Sequence, residues 1–146
     1  MIQEEIISQT NLMDAKEISR KYNQFTRQDW ETVKFDVMRW CLKIKLIQNF
    51  DKFSEFLLST DDSTILEFST KDSTWGAIPV NKDELKGKNA LGRLLMEMRE
   101  VNLKNPQDLE YLKPLSIPAF LLFYNPIDKA YKPEFVIHDL DDIYAY

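Results

Sequence analysis

The chain has 146 residues, 44% of them hydrophobic and 29% charged, and a formal net charge of −5. That length suits one domain with its own core, and the mixing of charged with apolar residues excludes a disordered chain. The acidic balance argues against nonspecific clamping of nucleic acid, while one cysteine, Cys41, and one histidine, His138, exclude an internal disulfide and a Cys/His metal cluster.

The amino end, Met1-Ile-Gln-Glu-Glu-Ile, has no apolar signal-peptide core, and the apolar run Ala119 to Tyr124 is too short to span a bilayer. A cytoplasmic protein with no membrane association is expected. Ile6 and Ile7 fall in a short first helix. Asn11 is placed to cap a second, with Ala15, Ile18 and Tyr22 on one face, and Asn23-Gln-Phe25 interrupts the pattern. Thr26-Arg-Gln-Asp29 approximates a capping box and predicts a long helix from about Gln28 to Gln48. Its apolar stripe is read as Trp30, Val33, Val37, Cys41, Ile44 and Gln48, which makes Cys41 a small core residue.

A shorter helix should follow with Phe53, Phe56 and Leu57 inward, then a turn at Thr60-Asp-Asp-Ser63 and a strand over Thr64 to Ser69. Beyond the prolines at 106 and 114, Ala119 to Tyr124 reads as a buried strand. Asn125 to Lys129 reads as a turn and Glu134 to His138 as a returning strand, with His138 incidental. The fold class expected is α+β, mainly helical, in a single domain.

All three glycines lie between Asp72 and Gly92. Glycine permits positive φ and close backbone approach, so tight geometry is expected there. Asn89 is placed to cap a helix whose buried stripe is Leu91, Leu94, Leu95 and Met98. Gly92 in its first turn costs about 1 kcal/mol against alanine, to be offset by close approach of another helix or of a ligand. A helix start of this kind could also hold a phosphate on free N–H groups; tight packing is the simpler reading.

Glu67, Asp72 and Trp75 combine two acids and an indole near one glycine-bearing turn. Cleavage of an N-glycosidic bond would suit them, since a carboxylate stabilises an oxocarbenium-like sugar and an aromatic face stacks on the base. The plainer alternative makes Asp72 a turn cap, Trp75 core and Glu67 a solvated acid. Lys34 and Lys45, near an apolar face of the long helix, would snorkel, pair with an acid or meet a phosphate. Trp30 at the start of that helix reads first as core.

Trp30-Glu-Thr-Val-Lys34, Met38, Lys45, Gln48-Asn49 and Leu57-Leu-Ser-Thr60 appear in order. Leu66-Glu67, Asp72-x-x-Trp75-Gly76 and Gly87-x-Asn89-x-Leu91-Gly92-x-x-Leu95-Met96-x-x-Arg99 follow. Together they resemble the NADAR (YbiA-like) family over Glu4 to Val101. The resemblance implies a YbiA-like helical core over residues 1–104. Residues 105–146 would be an extension with a hairpin in the same domain, covering the surface that the family's own amino-terminal hairpin occupies.

It also implies an N-glycosidase of ribosylated substrates, either phosphoribosyl aminopyrimidine intermediates of riboflavin synthesis or ADP-ribosyl adducts of guanine. Carried over by position, Asp72 and Trp75 are active-site residues, Glu67 and Asn89 support them, and Trp30 lines the pocket. Lys34 is a contact to phosphate or ribose, and Gly76, Gly87 and Gly92 shape the loop and helix entry. No cofactor or metal is implied, because such hydrolysis needs carboxylates and water. The family pattern usually opens with a Ser-x-Glu-His segment that supplies a catalytic glutamate, and no Glu-His pair occurs here. Leu46 stands where the family usually has phenylalanine, and the loop from Ala77 to Lys86 holds no glycine. The alternative is therefore a catalytically incomplete or split module that binds an ADP-ribose-like nucleotide or a protein partner, with a partner chain supplying the missing segment.

Overall fold

The computed structural model describes residues 1–133. Helix α1 spans Ile2–Ile7 and α2 spans Leu12–Lys21. The Asn11 side chain accepts the Met13 N–H at 2.8 Å, satisfying one orphan amide of α2 as its residue type predicts. The two helices pack on each other, joined by the Tyr22 hydroxyl donating to Glu5 at 2.6 Å, yet neither buries a residue fully. A 3-10 turn at Asn23–Phe25 leads to α3, Trp30–Gln48.

Helix α3 starts two residues later than the capping pattern suggests, because Asp29 does not bond the helix amides. Its carboxylate instead takes the Arg27 guanidinium at 2.5 and 2.9 Å. Asn49 ends the helix by turning its side-chain amide onto the Lys45 carbonyl at 3.1 Å, and α4 follows over Phe50–Leu58.

The core is set by α3, α4 and α5 (Ala90–Glu97), joined by Leu109. Leu46, Ile47, Leu57 and Met98 are its fully buried large side chains. Each contributes roughly 1.5–3 kcal/mol through removal from water. The buried face of α3 runs through Val33, Leu42, Leu46 and Ile47, rotated from the expected stripe, and Cys41 is exposed. Apolar side chains lie on several sides of this helix, so period alone does not pick the inward one. On α4, Leu57 is buried and Phe53 packs against the core, but Phe56 points outward at 58% exposure.

The turn at Thr60–Ser63 forms as expected and is held by Arg99, which donates to the Thr60 hydroxyl at 2.6 Å and the Ser63 carbonyl at 2.9 Å. Arg99 itself is buried, inside a wider π-helical turn over Met98–Asn102 that continues α5. Thr64 to Ser69 is not a strand. It makes a single parallel bridge, Phe68 to Ala77, because its other polar contacts go to a side chain rather than to a neighbouring strand.

The β structure is slight. Strands β1 (Ile78–Pro79) and β2 (Leu85–Lys86) form one antiparallel pair. After a 3-10 turn at Pro106–Leu109, β3 (Tyr111–Leu112) pairs with β6 (Ala130–Tyr131), and between them β4 (Leu121–Leu122) pairs with β5 (Asn125–Pro126). The fold is α+β and mainly helical, with small antiparallel hairpins towards the carboxyl end.

That hairpin differs from the expected one. Its tip is Phe123-Tyr124, both at positive φ (51° and 63°), so the chain reverses before Asn125 rather than after it. Leu121 and Leu122 are exposed, not buried. The expected return strand at Glu134 to His138, and His138 itself, lie outside the described residues. The hairpin region bonds to Gln3, Arg27 and Trp40 rather than to the Asp72 turn: Gln3 donates to Leu121 and accepts from Phe123, Arg27 donates to Pro118, and the Trp40 indole to Lys113. Among the described residues, no helix is long and apolar enough to cross a membrane.

Candidate active site

Three pieces of chain cross where the glycines lie: residues 65–69, the turn at 72–77, and 87–92 at the start of α5. The Ala77 N–H donates to the Glu67 carbonyl at 2.8 Å and the Ser69 N–H to the Ala77 carbonyl at 3.0 Å. The Asn89 side chain then ties α5 to the same segment. Its oxygen accepts the Glu67 N–H at 2.9 Å and its nitrogen donates to the Ile65 carbonyl at 2.8 Å.

Asn89 therefore occupies the cap position without capping through its side chain. It sits at φ 47° and ψ 44°, a left-handed conformation that asparagine tolerates better than most residues. A side chain at Gly92 would collide with the Ile65 carbonyl, so what approaches this helix closely is the backbone of the 65–69 segment rather than another helix. Gly87 holds φ 149°, and a Cβ there would stand 2.6 Å from the Gly76 carbonyl oxygen. Gly76 is buried, and that carbonyl accepts the Asn89 N–H at 3.1 Å.

The first amides of α5 are spent on this turn. Lys88 donates to Ser73 at 2.7 Å, Ala90 to Thr74 at 3.0 Å and Leu91 to Trp75 at 3.0 Å. The anion site considered for this helix start is thereby left without the N–H groups of Asn89, Ala90 and Leu91, which already have carbonyl partners.

Asp72 stands at the exposed start of the turn. Its Oδ1 accepts the N–H groups of Thr74 at 2.9 Å and Trp75 at 2.8 Å, while its own N–H donates to Ser69 Oγ at 2.8 Å. The carboxylate is held through Oδ1, while the Ser69 bond holds the Asp72 backbone, and the residue is exposed to solvent. Trp75 is half-buried at the edge of the core, with its ring centroid 5.3 Å from that of Phe35 on α3 and the planes tilted at 58°. Such a pair adds about 0.5–1.5 kcal/mol beyond area burial and fixes the indole.

Lys34, next to Phe35, is 12% exposed and ion-paired with Glu31, and its Nζ lies 5.4 Å from the Phe35 ring centre. Trp30 sits one turn before Lys34 on α3, half-buried. Glu67, Asp72, Gly76, Gly87, Asn89 and Gly92 are thus joined by one backbone network, and Trp75 carries it to α3. Lys34 adjoins it through Phe35, and Trp30 lies one turn earlier on the same helix.

Sequence reasoning missed the cleft beside this network. Between α3 and α5 a cavity of about 250 Å³ is lined by Phe35, Arg39, Lys88 and Arg93, among others. Arg39 is paired with Glu97 at 2.8 Å and with Asp36 at 2.6 Å. The readable signal is a cation directly after each of Gly87 and Gly92, Lys88 and Arg93. A larger cavity of about 450 Å³ at the junction of α3 and α4 shares no lining residue with the Asp72 turn or this cleft.

The sequence profile of the NADAR domain matches residues 1–102. The chain belongs to the NADAR family. This NADAR chain is 37% identical over 97 residues to the N-glycosidase YbiA of Escherichia coli, covering 66% of the chain and 58% of that protein. It is 34% identical over 94 residues to an N-glycosidase of Acanthamoeba polyphaga mimivirus, covering 60% of the chain and 55% of that protein. Against a riboflavin biosynthesis protein of Vibrio vulnificus it is 35% identical over 99 residues, 68% of the chain and 26% of that protein. The NADAR chain thus spans between about a quarter and somewhat over half the length of these relatives. No solved structure matches it.

Proposed function

We propose that this protein acts in N-glycosidic hydrolysis of a ribosylated base or amine, either a phosphoribosyl aminopyrimidine or an ADP-ribosyl adduct. The observation that carries the reading is the Asp72–Trp75 turn. A solvent-open carboxylate, clamped by two backbone N–H groups, lies three residues from an indole held against α3. Membership of a family whose relatives are named N-glycosidases and riboflavin biosynthesis proteins supports it.

The bond from ribose C1′ to the base nitrogen breaks with its electron pair leaving on the nitrogen. Positive charge then develops on C1′ and the ring oxygen, where the Asp72 carboxylate stabilises it. Water adds its oxygen to C1′, and its surplus proton makes good the one taken up by the departing nitrogen. Glu67, or an acid supplied by a partner chain, carries that proton. Trp75 stacks on the base and Trp30 lines the pocket. Lys34 reaches the ligand only by giving up Glu31. Gly76, Gly87, Asn89 and Gly92 keep the frame closed. A nucleotide substrate of this kind suits a cytoplasmic protein.

One observation favours a second reading, a module that binds an ADP-ribose-like nucleotide and takes its acid from elsewhere. Asp72 Oδ1 is fully occupied in holding its own turn.

Calorimetry with ADP-ribose and ribose 5-phosphate, beside turnover of a ribosylated aminopyrimidine, separates the two. Asp72→Asn keeps an oxygen to accept the Thr74 and Trp75 amides, so it should fold and bind. Its turnover should fall on the order of 100-fold or more if the carboxylate stabilises the transition state. Trp75→Ala should lose binding. Turnover unchanged in Asp72→Asn would reject the catalytic role, and binding without turnover in the wild type would leave the module.

A further inference from the structure

We propose that the cleft between α3 and α5 is the phosphate subsite of this protein, with Lys88 and Arg93 gripping the phosphate of a small ribonucleotide against the Phe35 wall. This rests on the reading of the Asp72 turn as a ribonucleotide site, and it assigns the ligand's anionic end to residues outside that turn.

Charge and connectivity carry the argument. Three cations, Arg39, Lys88 and Arg93, converge on a cavity of about 250 Å³ whose one acidic lining residue is Glu97. Glu97 is committed to Arg39, through contacts at 2.8 and 3.3 Å. Among the described residues, Lys88 and Arg93 have no carboxylate within ion-pair distance. Two positive charges without a carboxylate partner among the described residues therefore face one small cleft. An anion small enough to enter is the ligand such a field selects.

The cleft is also physically continuous with the Asp72 turn. Lys88, which lines it, donates its backbone N–H to Ser73, and Ala90 on the same wall donates to Thr74. Phe35 faces the cleft and meets Trp75. A ligand whose base lies on the Trp75 indole thus has a cationic cleft beside it. The amides of Asn89, Ala90 and Leu91 are already bonded, which leaves the anion to the side chains.

The test uses inorganic pyrophosphate, ribose 5-phosphate and ADP-ribose as calorimetric probes on wild type, Lys88→Gln, Arg93→Gln and the double variant. Both positions are exposed, and Lys88→Gln keeps the backbone bond to Ser73, so the fold should survive, as circular dichroism would verify. Each single change should weaken the phosphate probes about tenfold, the double change more, and the salt dependence of binding should flatten. Preference for ribose 5-phosphate over ADP-ribose would mark a monoester site, and the reverse a diphosphate site. Wild-type failure to bind any of the three, or equal binding by the double variant, overturns the proposal. Pyrophosphate binding that depends on Lys88 and Arg93, without any turnover, would retain the subsite and reject only the hydrolytic reading.

Discussion

Asn89 and Glu67 are joined by a hydrogen bond of 2.9 Å from the Glu67 backbone N–H to the Asn89 side-chain oxygen. The residue that opens α5 thereby sets the position of a candidate acid 22 residues earlier. Its side-chain nitrogen holds Ile65 at the same time, so the amide is used at both ends. Asn89→Ala would leave a partly buried N–H and a carbonyl without their side-chain partner and place alanine at positive φ. A loss of roughly 2–4 kcal/mol is expected in urea unfolding. Asn89→Gly should recover about 1 kcal/mol of it by relieving φ alone. Equal losses for the two variants would show that backbone conformation contributes nothing there.

Gly92 reverses the ordinary ranking of helix residues. Replacing a helical glycine with alanine commonly gains about 1 kcal/mol. Here the new Cβ would strike the Ile65 carbonyl and crowd the Asn89 amide, which lies 2.6 Å from its position. Gly92→Ala should therefore destabilise the protein by roughly 1–3 kcal/mol. A thermal midpoint that rises instead would mean the 65–69 segment can move off the helix.

Acid should loosen the entry to α3. Hydrogen bonding to the Arg27 guanidinium holds the Asp29 carboxyl below its ordinary value. A group with a lowered folded pKa adds stability above its unfolded value, near about 4, and loses it as pH falls through the folded one. Asp29→Asn should thus unfold more easily than wild type near neutrality, the gap closing as pH falls below the unfolded value. A gap of the same size at both ends of that range would sink the assignment. Arg27 also donates to Pro118 at 2.8 Å, so a fluorescence change from Trp40, which bonds the same hairpin region, should accompany the transition.

Much of the helical frame was legible because it is local. Asn11 caps α2 as its side-chain chemistry requires, and the stripe at Leu94 and Met98 is buried as spaced. Where two regions compete for one group, local reading failed. Asp29 prefers the neighbouring Arg27 to the helix amides, and the Asn89 side chain prefers Ile65 and Glu67 to its own helix. The inward face of α3 is not legible because apolar residues surround it, and packing against α4 and α5 decides which side is inward. Clustering of the glycines did mark the tight crossing. That their tightness serves backbone packing, and that Phe35, Lys88 and Arg93 build a cleft beside it, depends on segments distant in sequence.

Amide protons in the opening turn of a helix ordinarily trade with solvent quickly, since nothing holds them. Those of Ala90 and Leu91 are held by Thr74 and Trp75, across the crossing. Their deuterium uptake consequently keeps time for a different part of the molecule, the turn that carries Asp72. Protection at these two positions reports whether that turn is closed, and it can be followed before any substrate has been identified.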